Sequence, residues 1–503
     1  MTTTHGASAS PLRFLVIDVG TTGLRAAIVD DDLDVVHFEY RHNPPSTPFD
    51  GLVEFDAAHL ASLVLDASRA ALASVDSPVA AVGITNQRAS TIVWDRATGE
   101  PVAPGLGWQD LRTITECIVA KATHDWTVAP NQSLTKLGWL LANSGDLDGR
   151  DLCFGTIDSW IARTLTDGAI HVSDGTNMST TTTGMRIADG SAWATDRLAE
   201  FGIPEAILPL VVDSTGVVGH ATALPGSPPI ASLIGDQQAS LIGQGCVEPG
   251  VAKLTLGSGA MLDVVTGAPP PSRIERSPAG TYALPTWQLG GKLTWGAEAI
   301  MLSAGTNIEW LRDDLGLIET SAHSHDVAQG CSSTGGVVYV PALLGLGTPD
   351  WDYGARGTLV GMTRGTERPH VVRAVLEGIA HRCADMVDAV RADTGVSVES
   401  LRVDGGMSVN PTMIAALADA TGCRVEVSPT TEATTRGAAF LAGLALGRWD
   451  DVTDVRHLWR PSRVADAAGG PEAEQDRHVA RRRWSEALGR ARSWYPELSA
   501  LDF

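Results

Sequence analysis

Twice in this chain a short apolar strand, buried on both faces, runs directly into a turn of glycines and hydroxyls. Arg13 to Asp18 leads into Gly20-Thr21-Thr22-Gly23, and Val251 to Leu256 leads into Gly257-Ser258-Gly259. Such a turn lets backbone N–H groups converge on an anion, while Ser and Thr add donors. Either turn alone reads as an ordinary hairpin. Their repetition points to two similarly built layers. In the first copy, strands at Arg25 to Val29 and Leu33 to Tyr40 follow, an opening that suits an α+β or α/β layer. At 503 residues the chain is too long for one ordinary core, and Glu248-Pro249-Gly250 breaks it between the copies. The expected organisation is a tail at 1–12, an N-terminal domain at 13–248, a C-terminal domain at 250–450 and an extension at 451–503. Within that frame Ala57 to Ser74 and Pro369 to Ala392 have helical spacing, and Pro411 to Thr421 follows Asp404-Gly405-Gly406. Ala465 to Glu474 reads as a linker, and Ala480 to Trp494 as a last exposed helix.

Composition removes several function classes. Hydrophobic residues at 44% and charged residues at 19% describe a globular protein. The 37 basic and 59 acidic residues give a net charge of -22, which repels phosphate backbones and anionic lipid. Nucleic acid and membrane are therefore poor partners, although local donors can still hold an anionic nucleotide. Six cysteines stand singly with no CxxC pair, which suits a reducing cytoplasm. The first ten residues lack the basic start and apolar stretch of a secretory signal. The expected location is cytoplasmic.

The candidate chemistry sits at strand ends. Asp18, closing the first strand, is placed to hold the water shell of Mg²⁺, and Arg25 to reach a phosphate oxygen. No GxxxxGK[ST] or GxGxxG occurs, which argues against a P-loop or a Rossmann site. The glycines of Asp404-Gly405-Gly406 allow a nucleoside to lie against backbone. Ile230 to Ile234 hands over to a helix at Gly235-Asp236-Gln237. On this segment alone Asp236 is most simply an N-cap; the alternative is a general base for phosphoryl transfer. Arg88 lies between two strands and Trp108 in a glycine-rich stretch. Each has a bland reading, as a solvated surface charge and a core ring, beside a role in gripping a sugar.

Taken together, these segments resemble the FGGY carbohydrate kinases, most closely their glycerol kinase branch. The matches are DVGTTGLRAAIVD (18–30), VGITNQRASTIVWDRATGEPV (82–102), LCFGTIDSWI (152–161), GDQQASLIGQ (235–244), LTLGSGAML (254–262), PALLGLGTPDWDYGARGTLVGMTRGT (341–366) and LRVDGGMSVN (401–410). They run in family order over roughly residues 13 to 448. The resemblance implies an α/β protein with two actin/hexokinase-like (ribonuclease H-like) ATPase domains flanking a catalytic cleft. It also implies ATP and Mg²⁺, a small polyol or sugar as acceptor, and a homodimer or homotetramer. Asp18 matches the metal-linked aspartate, and Thr21, Thr22, Gly23 and Arg25 match the phosphate grip. Asp236 matches the catalytic base and Gln237 a substrate contact. Ser258, Gly305, Gly406 and Asn410 fall on nucleotide positions.

This chain departs from the glycerol kinase pattern at several positions. Ala89 stands where a glutamate follows the NQR motif, and Asn131 stands for the tyrosine before Ser133 and Lys136. Met261 replaces an aromatic residue, Glu309 a glutamine beside the adenine position, and Val19 a glutamine of the first motif. Catalytic and ATP positions are kept while acceptor positions differ, so a larger acceptor than glycerol is expected, such as a four- or five-carbon polyol. The alternatives are a ketose or pentulose kinase of the same family, or a non-catalytic ATP-binding sensor.

Overall fold

The first strand, Arg13–Val19 (β1), buries Phe14, Leu15, Val16 and Ile17 completely, because neighbours cover both of its sides. In this computed structural model, which describes residues 12–179, 193–272 and 275–500, β1 lies inside a six-stranded sheet. Its partners are Gly23–Asp30 (β2), Val35–His42 (β3), Ala81–Asn86 (β4), Thr215–His220 (β5) and Pro229–Gly235 (β6), in the order β5-β6-β4-β1-β2-β3. The β1-β2-β3 run is antiparallel, whereas β4 pairs parallel with both β1 and β6. Parallel neighbours need crossovers, and helices such as Ala57–Ala73 and Ile157–Leu165 supply them. Asp56 caps the first of these by accepting from the His59 N–H.

The described residues fall into two compact units. The first runs to Gly243 and includes Trp287–Leu293 and Glu432–Leu458; the second holds the remainder from Gln244. Sequence order and spatial grouping therefore part at Glu432, where the chain returns to the first unit. Helix Ala433–Ala445 then packs on helix Asp236–Gly243 and on the sheet. Two hydroxyls fasten it there. Ser232 Oγ donates to the Ala438 carbonyl at 2.9 Å and Thr215 Oγ1 to the Leu441 carbonyl at 2.6 Å.

In the second unit the same arrangement recurs. Val251–Leu256 (β7), Ala260–Gly267 (β8), Tyr282–Leu289 (β9), Lys292–Met301 (β10), Ser400–Asp404 (β11), Arg424–Val427 (β12) and Arg463–Ala465 (β13) are ordered β9-β10-β8-β7-β11-β12-β13. Again an antiparallel trio, β7-β8-β10, adjoins parallel strands, β11 and β12. Helix Arg368–Thr394 seats Val372, Val375, Leu376, Ile379, Cys383 and Met386 in this unit's core. Residues expected to form a linker are partly helical instead, since the last long helix spans Pro471–Ala491. Pro at its first turn and Glu472 and Glu474 behind it favour a helix start, although their polarity mimics a loop. Nor is it merely exposed, because Trp484, Ala487, Leu488 and Ala491 are buried with Val340, Ala342 and Leu346. Among the described residues no helix is long and apolar enough to cross a membrane, and all six cysteines are free thiols.

Two glycines decide how helix Ala433–Ala445 crosses helix Asp236–Gly243. A Cβ on Gly437 would collide with the Ala239 carbonyl, and one on Gly243 with the Ala433 carbonyl. Backbone cannot yield as a flexible side chain does. Gly437→Ala should therefore cost about 2–3 kcal/mol by overpacking, despite a helix-propensity gain of about 1 kcal/mol. Gly489→Ala, where nothing lies within 4 Å, should leave stability unchanged or raise it by up to about 1 kcal/mol. Denaturant unfolding of the two variants checks this pair of opposite signs.

Candidate active site

Three parallel strands of the first unit end at one sheet edge. Val19 of β1 and Gly235 of β6 both register with Asn86 of β4. Asp18, the Asn86-Gln87-Arg88 segment and Asp236 therefore emerge side by side, where ligands of α/β sheets bind. Asp236 opens helix Asp236–Gly243, and its Oδ1 accepts from the Gln237 N–H at 2.8 Å. Its side chain keeps 32% of its exposure, and Arg88 Nε lies 3.9 Å from the carboxylate. Gly235 is required for that approach, since a Cβ there would stand 2.8 Å from Arg88 Cγ.

The electrostatics of this edge are dominated by two carboxylates. Asp18 is pushed up to about 7, chiefly because burial disfavours its charge and next because Asp236 is near; Arg25 works in the opposite direction. Among the described residues no group of three or more His, Cys, Asp or Glu is gathered to cage a metal. Mg²⁺ needs no cage, because it takes one or two protein carboxylates and completes its shell with water and phosphate oxygens. A desolvated aspartate facing a second one is a donor set that fits such a cation.

Around this pair the phosphate turn is tightly built. The Gly20 N–H donates to the Gly23 carbonyl at 2.9 Å, leaving Thr21 and Thr22 at the tip. Trp108, 37% exposed, donates its indole N–H to Thr21 Oγ1 at 3.1 Å, so a candidate acceptor residue touches a candidate phosphate residue. A small cavity beside them is lined by Val19, Thr21, Asn43, Gln87, Gly107 and Gln109. Arg25 does not point free toward a ligand. Its guanidinium bonds Glu432 and lies over Phe38, 4.9 Å from the ring centre. Asn131 contributes its carbonyl to Lys136 Nζ at 3.2 Å.

Residues of the Ser173–Asn177 segment, which the sequence reading passed over, support the Asp236 junction. Thr176 Oγ1 accepts the Gly235 N–H at 2.8 Å and donates to the Asp174 carboxylate. Asp174 also accepts from Ser214 Oγ at 2.7 Å and from the Asn177 N–H at 3.0 Å. Asp174 and Asp158 are fully buried and both shifted upward by that burial. The available signal was a polar Ser-Asp-Gly-Thr-Asn run where a core strand meets a helix.

Within the second unit, the Gly257-Ser258-Gly259 turn is laced to the start of helix Gly305–Asp313. The Ala304 N–H donates to the Ser258 carbonyl at 2.7 Å, and the Gly305 N–H to the Gly257 carbonyl at 2.9 Å. Glu309 projects from the same helix and is exposed. Thr255 beside the turn registers with both Met261 of β8 and Asp404 of β11, which brings the Asp404-Gly405-Gly406 turn alongside. Gly406 is exposed with open space around its Cα. Asn410 has structural employment, capping helix Pro411–Thr421 through the Met413 N–H and donating to Ser324 Oγ at 2.8 Å.

An antiparallel trio joined to parallel strands, present in both units, is the actin/hexokinase-like ATPase design. Residues 13–243 match the N-terminal domain, and residues 252–446 the C-terminal domain, of the FGGY family of carbohydrate kinases. The chain belongs to that family and is an ATP-dependent kinase that transfers phosphate to a hydroxyl. It is 40% identical to a glycerol kinase of Rhodopirellula baltica, covering 97% of this chain and 92% of the relative. It is 38% identical to one of Deinococcus radiodurans, covering 97% and 99%. Among solved structures it resembles Plasmodium falciparum glycerol kinase with ADP (TM-score 0.89, 29% identity, 96% and 98% covered). It shares its fold with a Lactobacillus acidophilus xylulose kinase (TM-score 0.86, 20% identity, 97% and 100% covered).

A cation held at Asp18 would have to displace a proton below about 7, because burial raises that carboxyl. Affinity for Mn²⁺ with ADP, read by electron paramagnetic resonance, should weaken as pH falls through neutrality. Asp18→Asn should bind weakly with no such slope; a wild type flat across neutral pH would contradict the assignment.

Proposed function

We propose that this kinase phosphorylates a four- or five-carbon polyol, with Asp236 as general base. The observation that carries the acceptor assignment is Ala89. It is buried with φ 64°, and it offers the NQR loop only a methyl group where the glycerol kinase pattern has a carboxylate. Asn131 in place of tyrosine widens the same region. Loss of a carboxylate-to-hydroxyl bond in a dry pocket costs about 1.5–3 kcal/mol, roughly ten- to hundred-fold in discrimination. That penalty falls on glycerol, while the freed volume admits a longer chain.

In the proposed reaction Arg88, Trp108, Asn131 and Gln237 of the first unit bind the acceptor, and Met261 is the second unit's candidate acceptor residue. Thr21, Thr22, Gly23 and Arg25 are the first unit's proposed phosphate grip, and Ser258, Gly305, Glu309, Gly406 and Asn410 the second unit's proposed nucleotide contacts. Mg²⁺ at Asp18, when bound, neutralises charge on the transferred phosphoryl group. An Asp236 oxygen accepts the acceptor's hydroxyl proton as the new O–P bond forms and the bond to the β-phosphate oxygen breaks. Thr21 donors then meet the charge on the phosphoryl oxygens. Arg25 must leave Glu432 to take part.

A ketose acceptor is the second reading, favoured by the same open pocket; a nucleotide-binding sensor is disfavoured by Asp236, which stays partly accessible at the sheet edge. Acceptor-dependent ADP release across glycerol, tetritols, pentitols and ketoses separates them. Preference for a tetritol or pentitol is expected, and clear preference for glycerol would overturn the acceptor assignment. Asp236→Asn should lower turnover by about 10²–10⁴-fold with unchanged ATP affinity. Ala89→Glu should raise kcat/KM for glycerol by roughly ten- to hundred-fold relative to the preferred acceptor.

A further inference from the structure

Lys136 is fully buried inside helix Ser133–Asn143. Burying an ammonium is costly unless every N–H finds an acceptor, and an ammonium has three. Lys136 Nζ has three partners: the carbonyls of Ala89 at 2.9 Å, Gly107 at 3.0 Å and Asn131 at 3.2 Å. They belong to three separate stretches of chain, 47, 29 and 5 residues away from the lysine. Each is also adjacent to, or part of, a residue proposed to face the acceptor: Arg88 precedes Ala89, Trp108 follows Gly107, and Asn131 is itself one.

A structural staple is the plainer explanation, and a buried lysine on backbone carbonyls does stabilise loops. Two features ask for more. Ala89 sits in the left-handed region, which a non-glycine residue occupies only when its surroundings hold it there. Its carbonyl receives a second donor from the same helix, Ser133 Oγ at 3.1 Å. Helix Ser133–Asn143 therefore grips the one strained residue of the NQR loop twice. Desolvation pulls Lys136 down to about 7, with Asp110 and Cys117 opposing and Arg112 adding to the shift. Burial thus disfavours its charge, a cost that a methionine of similar length would avoid.

We infer that Lys136 is a positioning residue for the acceptor, tying three loops into one frame that sets acceptor affinity and selectivity without touching the nucleotide. This rests on the proposed placement of Arg88, Trp108 and Asn131 around the acceptor. The frame acts through carbonyls, so its loss moves whole loops and not one contact. Acceptor recognition should suffer first, because sub-ångström displacement of polar groups weakens several hydrogen bonds together.

The test compares wild type, Lys136→Met and Ser133→Ala by steady-state kinetics with the best polyol of the panel, with ADP affinity measured by calorimetry. Lys136→Met should raise acceptor KM by about tenfold or more and flatten discrimination among polyols, with ADP affinity unchanged. Ser133→Ala, which removes only the second donor to Ala89, should shift acceptor KM in the same direction by a smaller factor. Unchanged acceptor KM and selectivity in a folded Lys136→Met, with only a lower melting temperature, would overturn the inference. If that variant fails to fold, Ser133→Ala decides alone, and an unchanged acceptor KM there is equally fatal. A wild type with no polyol-dependent turnover would instead remove the acceptor-site reading, and the frame with it.

Discussion

Burial of Asp18 beside a second carboxylate at one sheet edge is the constraint on which the first unit's site depends. Asp18 and Asp236 are brought together because β1 and β6 flank β4 in parallel and end at the same level. Parallel strands put their carboxyl ends on one side, so a single topological choice places Asp18, Arg88 and Asp236 together. The arrangement is unfavourable by itself, as the upward shift of Asp18 shows. In the proposed reaction a cation held at Asp18 would offset that cost.

The surrounding structure keeps that edge from relaxing. Behind Asp236, the Thr176 hydroxyl relays between the Gly235 N–H and the buried Asp174. Beneath it, helix Ala433–Ala445 crosses helix Asp236–Gly243 so closely that only glycine fits at both contact points. The chain thus reaches helix Asp236–Gly243 from a segment some two hundred residues later in sequence. In the proposed frame Lys136 plays the corresponding part on the acceptor side.

Much of this was legible from residues alone, and the reasons differ by element. Val251–Leu256 and Pro411–Thr421 were readable to the residue, because a buried β run and a Pro-led, Gly-ended helix carry their own boundaries. Both glycine and hydroxyl turns were found as turns, and Asp236 was seen at its strand-to-helix junction. What escaped was tertiary. Arg25 looks like a phosphate ligand in sequence, whereas its partner Glu432 lies 407 residues away. Lys136 is named in the sequence only as part of a family motif with Ser133, because nothing local announces that carbonyls from three stretches of chain converge on it. The start of the helix at Pro471 was mistaken for linker, since its first turn is polar and its buried residues, Trp484 and Leu488, come only two turns or more later.

The central claim is that the γ-phosphate of ATP ends on a carbon-bound oxygen of a polyol. Phosphorus NMR of a reaction with ATP, Mg²⁺ and a four- or five-carbon polyol addresses it directly. The account predicts a new phosphomonoester resonance that grows in step with ADP. Growth of inorganic phosphate with ADP, and no phosphomonoester from any such polyol, would contradict it.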